Sequence, residues 1–108
     1  MKTLFAPLLI ALLAAPAGAA APASPAVQVK DDAFVPATLT VSAGQTVTFT
    51  NDDDDAHTVT STNGEFDSKG LDTNGVWRHT FVKPGAYAYF CELHPFMKGK
   101  IVVEAARS

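Results

Sequence analysis

From Val27 onward the apolar residues recur at every second position: Val27 and Val29, Leu39 and Val41, Val47 and Phe49. Period-two alternation marks strands with one buried face, because successive side chains of a strand point to opposite sides. Later stretches rich in Thr, Val, Phe and Tyr predict further strands over His57 to Ser61, Trp77 to Phe81, Ala86 to Cys91 and Lys100 to Glu104. Turn-forming residues separate them at Pro36, Ser42-Ala43-Gly44, Asn51 to Asp55, Asn63-Gly64, Asn74-Gly75 and Lys83-Pro84-Gly85, and Phe66 to Gly75 reads as irregular. No segment past the N-terminus has helical periodicity, so there are no helices for parallel crossover units. Seven or eight short strands of this kind predict an all-β fold, an antiparallel Greek-key sandwich or small barrel.

The N-terminus breaks this pattern. Met1-Lys2 precedes an apolar run from Leu4 to Leu13, interrupted by Pro7, and small residues follow, with Ala17-Gly18-Ala19 offering an Ala-x-Ala cleavage pattern. This reads as a secretory signal over residues 1–19, with alternative cuts up to residue 23. The competing reading, an uncleaved anchor, needs about 20 apolar residues, and Leu4 to Ala21 reaches that only by counting Ala, Gly and Pro. A lipoprotein would need a Cys at the cleavage site, and there is none. Residues 20–25 form an Ala/Pro/Ser lead-in and 26–106 the folded domain. Export to a bacterial periplasm or the extracellular space is expected, with no membrane attachment afterwards.

Composition narrows the function. The chain has 108 residues, 47% hydrophobic and 18% charged, which is one ordinary domain and too apolar for disorder. All eleven acidic residues lie at or beyond Asp31, so loss of Lys2 with the signal moves the formal charge from −3 to −4. A nucleic-acid binder normally carries a basic stripe instead. A small domain benefits from a staple, yet the single cysteine, Cys91, closes no disulfide within the chain. In an exported protein it is an intermolecular link, an inert buried thiol or a metal ligand.

Its neighbours choose among these. In Cys91-Glu92-Leu93-His94-Pro95-Phe96-Met97 a thiol, an imidazole and a thioether recur at three-residue intervals. If Cys91 ends a strand, a loop stiffened by Pro95 folds His94 and Met97 back toward the sulfur. Thiolate and thioether favour copper, and two His with one Cys and a weak axial Met form the blue-copper set. The second imidazole comes from His57 or His79. His57 follows an exposed turn and opens a strand, near a sandwich end where loops gather, whereas His79 lies mid-strand between Trp77 and Phe81; position favours His57. Taken singly, a buried Cys, a turn His and a core Met usually mean packing, but their joint spacing argues for a metal. A thiol enzyme has no use for Met97 at that place.

These residues resemble the cupredoxins, and the short Cys91-x-x-His94-x-x-Met97 loop with Pro95 and Phe96 is similar to the amicyanin type. The resemblance extends through Phe34-Val35-Pro36, Leu39-Thr40-Val41, Gly44, Val47 to Asn51, Ala56 to Val59 and Pro84 to Tyr87. It implies a two-sheet Greek-key sandwich holding one copper ion near one end through His57, Cys91, His94 and Met97. It also implies an electron carrier, not an enzyme, a monomer working between a dehydrogenase donor and a c-type cytochrome acceptor. The alternative role is periplasmic copper delivery or storage; a third is a metal-free adhesion-like sandwich. Where amicyanins and plastocyanins have Asn after the first ligand His, this chain has Thr58, whose hydroxyl is expected to bond across to the Cys-bearing loop. Pro95 and Phe96 are expected at the docking surface, unless Phe96 fills the core beneath the loop. Asp52, Asp53, Asp54 and Asp55 either steer a basic partner or form a solvated turn.

Overall fold

The computed structural model describes residues 23–106. The expected signal at 1–19, and residues 20–22 of the lead-in, lie outside the described residues. Eight strands follow in order: β1 Ala26–Lys30, β2 Ala33–Val35, β3 Thr38–Ser42, β4 Thr46–Asn51, β5 Thr60–Ser61, β6 Val76–Thr80, β7 Gly85–Phe90 and β8 Lys98–Glu104. They form two four-stranded sheets, ordered β2-β1-β4-β6 and β3-β8-β7-β5. Only β1–β2 and β7–β8 are successive strands paired within one sheet; the other connections cross between sheets, as in a Greek-key sandwich.

The alternation seen in the sequence becomes the core. Val27 and Val29 of β1, Val47 and Phe49 of β4, Val41 of β3, Ile101 and Val103 of β8 and Tyr89 of β7 are all buried, with Phe34, Val59 and Phe81 among them. Each aliphatic side chain of this kind contributes about 1.5–3 kcal/mol on burial. The expected all-antiparallel pairing holds for four pairs, but β1–β4 and β3–β8 run parallel. In both cases the partners are distant in sequence and joined through the opposite sheet, so no hairpin dictates their direction.

Two local differences matter for the site. The strand expected over His57 to Ser61 shrinks to Thr60–Ser61, and His57 instead forms an isolated bridge with Leu71. The stretch that reads as irregular is thereby stitched to the fold, since Asp67 also bridges Thr60. In addition, Pro36 does not simply mark a turn. It follows a short β2 that pairs with β1 through a two-residue loop, Asp31-Asp32, with φ of 53° and 56°. Paired left-handed residues match the right-handed twist of the strands they join, and Asp tolerates that region.

Candidate metal centre

The end of β4 starts the site. Asn51 occupies an inward position after Val47 and Phe49, where the alternation calls for an apolar side chain, and it is completely buried. Its amide donates to the carbonyls of Asp55 at 2.9 Å and Leu71 at 2.8 Å, and its oxygen accepts the N–H of Asp53 at 2.9 Å. One side chain thus shapes the acidic turn and ties it to the Leu71 segment. Two backbone bonds between His57 and Leu71, 3.1 and 2.8 Å, then place the His57 ring inside.

Asp53 completes that placement. Its carboxylate accepts the N–H groups of Asp31 at 2.7 Å and Asp32 at 3.0 Å, and lies 2.9 Å from His57 Nε2. The backbone N–H of Asp32 foremost, with that of Asp31 and the His57 ring, holds the Asp53 carboxyl below its ordinary value. The negative partner assigns the His57 proton to Nε2, which leaves Nδ1 as a lone pair aimed inward. That Nδ1 lies 3.6 Å from Cys91 Sγ.

The second half of the site follows β7. Cys91 is fully buried, and the loop beyond it closes through Cys91 N–H to the Met97 carbonyl at 3.2 Å and Met97 N–H to the His94 carbonyl at 2.8 Å. These bonds return the loop to its origin, with Met97 buried and His94 half-exposed. His94 Nδ1 lies 3.8 Å from the sulfur, and the two imidazole rings are 4.8 Å apart by centroid. One donor atom each from His57, Cys91 and His94 falls within a 4.8 Å span.

This spacing fits a shared ion. With metal–sulfur and metal–nitrogen bonds of about 2.3 and 2.0 Å, as in zinc sites, angles between tetrahedral and trigonal separate sulfur from nitrogen by about 3.5–3.7 Å. The sulfur also accepts the backbone N–H of Thr58 at 3.3 Å, while the Thr58 hydroxyl accepts the Glu92 N–H at 2.8 Å. Thr58 therefore does bond across to the Cys-bearing loop, from both its backbone and its side chain.

The remaining expected residues separate. Phe96 is 69% exposed, which removes the core-filling reading, and Pro95 and Leu93 are exposed beside it. Of the acidic run, Asp54 and Asp55 face solvent, but Asp53 is turned inward onto His57 and is not free for a partner. Sequence reasoning missed Asp32, which lies with Asp55 and a ring nitrogen of His94 inside another 4.8 Å span. It also missed Asn51 as an organiser. The Asp31-Asp32 pair between two alternating runs was the available hairpin signal; nothing local distinguished Asn51 from an ordinary turn residue.

His79 stands apart from these ligands. It stacks on Trp77 at 5.3 Å between centroids and meets Phe66 and Phe81 edge-on or tilted at 4.9 and 4.7 Å. Burial pushes its imidazole below the ordinary value, so the folded state resists the proton that the unfolded chain accepts. The associated stability is full above about pH 6.5 and is lost progressively as pH falls through and below that value. Urea midpoints at about pH 7.5 and about pH 5 should therefore drop more in the wild type than in His79→Gln. Equal drops would remove His79 as the cause.

Comparison with known proteins agrees with this architecture. The cupredoxin-like domain family matches residues 3–103. The chain belongs to the cupredoxin-like family. It is 44% identical over 69 residues to amicyanin-alpha of Methylorubrum extorquens, a match covering 59% of this chain and 58% of that protein. Among solved structures it resembles amicyanin from Paracoccus versutus, with a TM-score of 0.68 and 30% identity over 77% of this chain and 84% of that one. It also resembles a purple cupredoxin from Nitrosopumilus maritimus, with a TM-score of 0.69 and 29% identity over 75% of this chain and all of that one. The chain spans less than two thirds of the length of the curated amicyanins it matches. Within the cupredoxin-like family its likeness is to amicyanin.

Proposed function

We propose that this chain is a periplasmic electron carrier that holds one copper ion through His57, Cys91, His94 and Met97. The observation that carries the reading is the buried thiol facing two imidazole Nδ1 atoms at 3.6 and 3.8 Å, on a loop that Met97 closes. A Cys and two His alone also suit zinc; the buried thioether argues for copper. Bound there, copper supplies one-electron exchange with no bond made or broken in a substrate. The protein's own part is to keep the donors still. Asp53 fixes the His57 ring, the Thr58 N–H steadies the sulfur, and the backbone closure holds His94 and Met97 in place.

His94 is the half-exposed ligand, and Leu93, Pro95 and Phe96 spread an apolar surface around it. Electrons would leave by that edge. Asp32, Asp54 and Asp55 give the same end a negative border, which attracts a basic partner and weakens with salt. A dehydrogenase donor and a c-type cytochrome acceptor suit the amicyanin likeness. Phe96→Ala should slow electron transfer to the partner about tenfold while leaving the visible spectrum intact; a lost spectrum would mean that Phe96 supports the site itself.

Copper delivery or storage is the competing role. Labile transfer favours exposed ligands, whereas His57, Cys91 and Met97 are at most 2% exposed. Copper-loaded protein should therefore absorb intensely at roughly 600 nm, cycle reversibly in voltammetry and lose metal slowly to a chelator. A colourless complex would end the copper-carrier reading, and rapid release to an acceptor would favour handling.

A further inference from the structure

Behind Thr58 lies a second threonine and then a carboxylate. Thr58 Oγ1 and Thr60 Oγ1 are 2.8 Å apart, and the Thr60 hydroxyl donates to Asp67 Oδ1 at 3.2 Å. Both threonines are buried, so water offers little competition. Asp67 is held in turn by the Lys69 N–H at 2.8 Å and by its bridge to Thr60.

The order of donors follows from valence. A carboxylate only accepts, so it takes the single proton of Thr60. The Thr60 oxygen then accepts from Thr58, whose own proton is thereby used, and the Thr58 oxygen is left to accept the Glu92 N–H. Every proton in the chain points toward Asp67. Asp67 remains ionised, because the Lys69 N–H foremost, with the Thr60 hydroxyl and the Lys69 charge, holds its carboxyl below the ordinary value. Without such an anchor the hydroxyls have no preferred direction, and Thr58 can turn its proton toward the loop instead of its lone pair. Linked donors of one sense also polarise one another.

We propose that Asp67, on the connection between β5 and β6, is a positioning residue for the metal-binding thiolate. It acts through Thr60 and Thr58 on the backbone N–H of Glu92, next to Cys91. The inference rests on the reading of Cys91 as a copper ligand. It also fits a hydroxyl at Thr58, which, unlike an amide with its own fixed donor and acceptor, needs a neighbour to orient it.

The test uses Thr60→Val, Thr60→Ser and Asp67→Ala. In metal-free protein, exchange of the Glu92 amide should accelerate about tenfold in Thr60→Val and Asp67→Ala, with the core amide of Val29 unchanged. In copper-loaded protein both should lower the reduction potential, because a loosened Thr58 N–H no longer draws electron density from the sulfur, and Thr60→Ser should restore both readouts. An unchanged Glu92 amide, one that accelerates only in step with Val29, or an unchanged potential overturns the proposal. A wild-type protein without the thiolate absorption overturns the copper reading itself, so the two failures are distinct.

Discussion

Cys91→Ala is expected to abolish the visible absorption of the copper-loaded protein and to weaken copper binding by more than about a hundredfold. Loss of a single hydrogen bond behind a metal ligand already costs 10–100-fold in affinity, and here the thiolate itself is removed. Three donors remain, His57, His94 and Met97, but the sulfur is the atom that both imidazoles face, at 3.6 and 3.8 Å. The fold should survive, since Cys91 lies at the mouth of the loop and its backbone bond to Met97 is independent of the side chain. Metal titration and circular dichroism on the same sample separate loss of ligand from loss of fold. A coloured Cys91→Ala complex would sink the ligand assignment.

Asn51→Leu should cost about 3 kcal/mol, because three buried or half-buried backbone groups each lose a hydrogen bond at once. Those are the carbonyls of Asp55 and Leu71 and the N–H of Asp53. For a domain of this size the melting temperature should fall by roughly 12–24 °C. The same change releases Asp53 from its turn, so His57 loses the fixed acceptor at Nε2 and copper affinity should fall as well. Asn51→Asp keeps an oxygen for Asp53 but sets a buried carboxylate oxygen against the Asp55 and Leu71 carbonyls, and should cost at least as much as Asn51→Leu. An unfolding free energy that falls by less than about 1 kcal/mol in Asn51→Leu would show that the turn is organised by something else.

How much of this was legible depended on whether the cause was local. The core strands were, because alternation such as Val27-x-Val29 and Val47-x-Phe49 is written in neighbouring residues and reappears as inward faces. The Cys91 to Met97 cluster was also legible, since its donors share one short loop. What escaped were contacts across the fold. No feature of the Asp52–Asp55 run says that Asp53 turns onto His57, because its partners Asp31 and Asp32 come from a hairpin more than twenty residues earlier. Parallel pairing of β1 with β4 and of β3 with β8 escaped for the same reason. The Thr58 hydroxyl bond was foreseen in kind, but its continuation to Asp67 required the folding-back of a stretch with no strand pattern at all.

The position of β8 has a consequence for biosynthesis. This strand sits between β3 and β7 in its sheet, and the residues that precede it carry Cys91, His94 and Met97. A growing chain that has emerged only as far as Phe90 has neither the partner that β3 needs nor three of the four donors of the proposed site, Cys91, His94 and Met97. Closure of this sheet must wait for β8 and the full donor set for the loop just before it, so neither is complete on a chain that stops at Phe90.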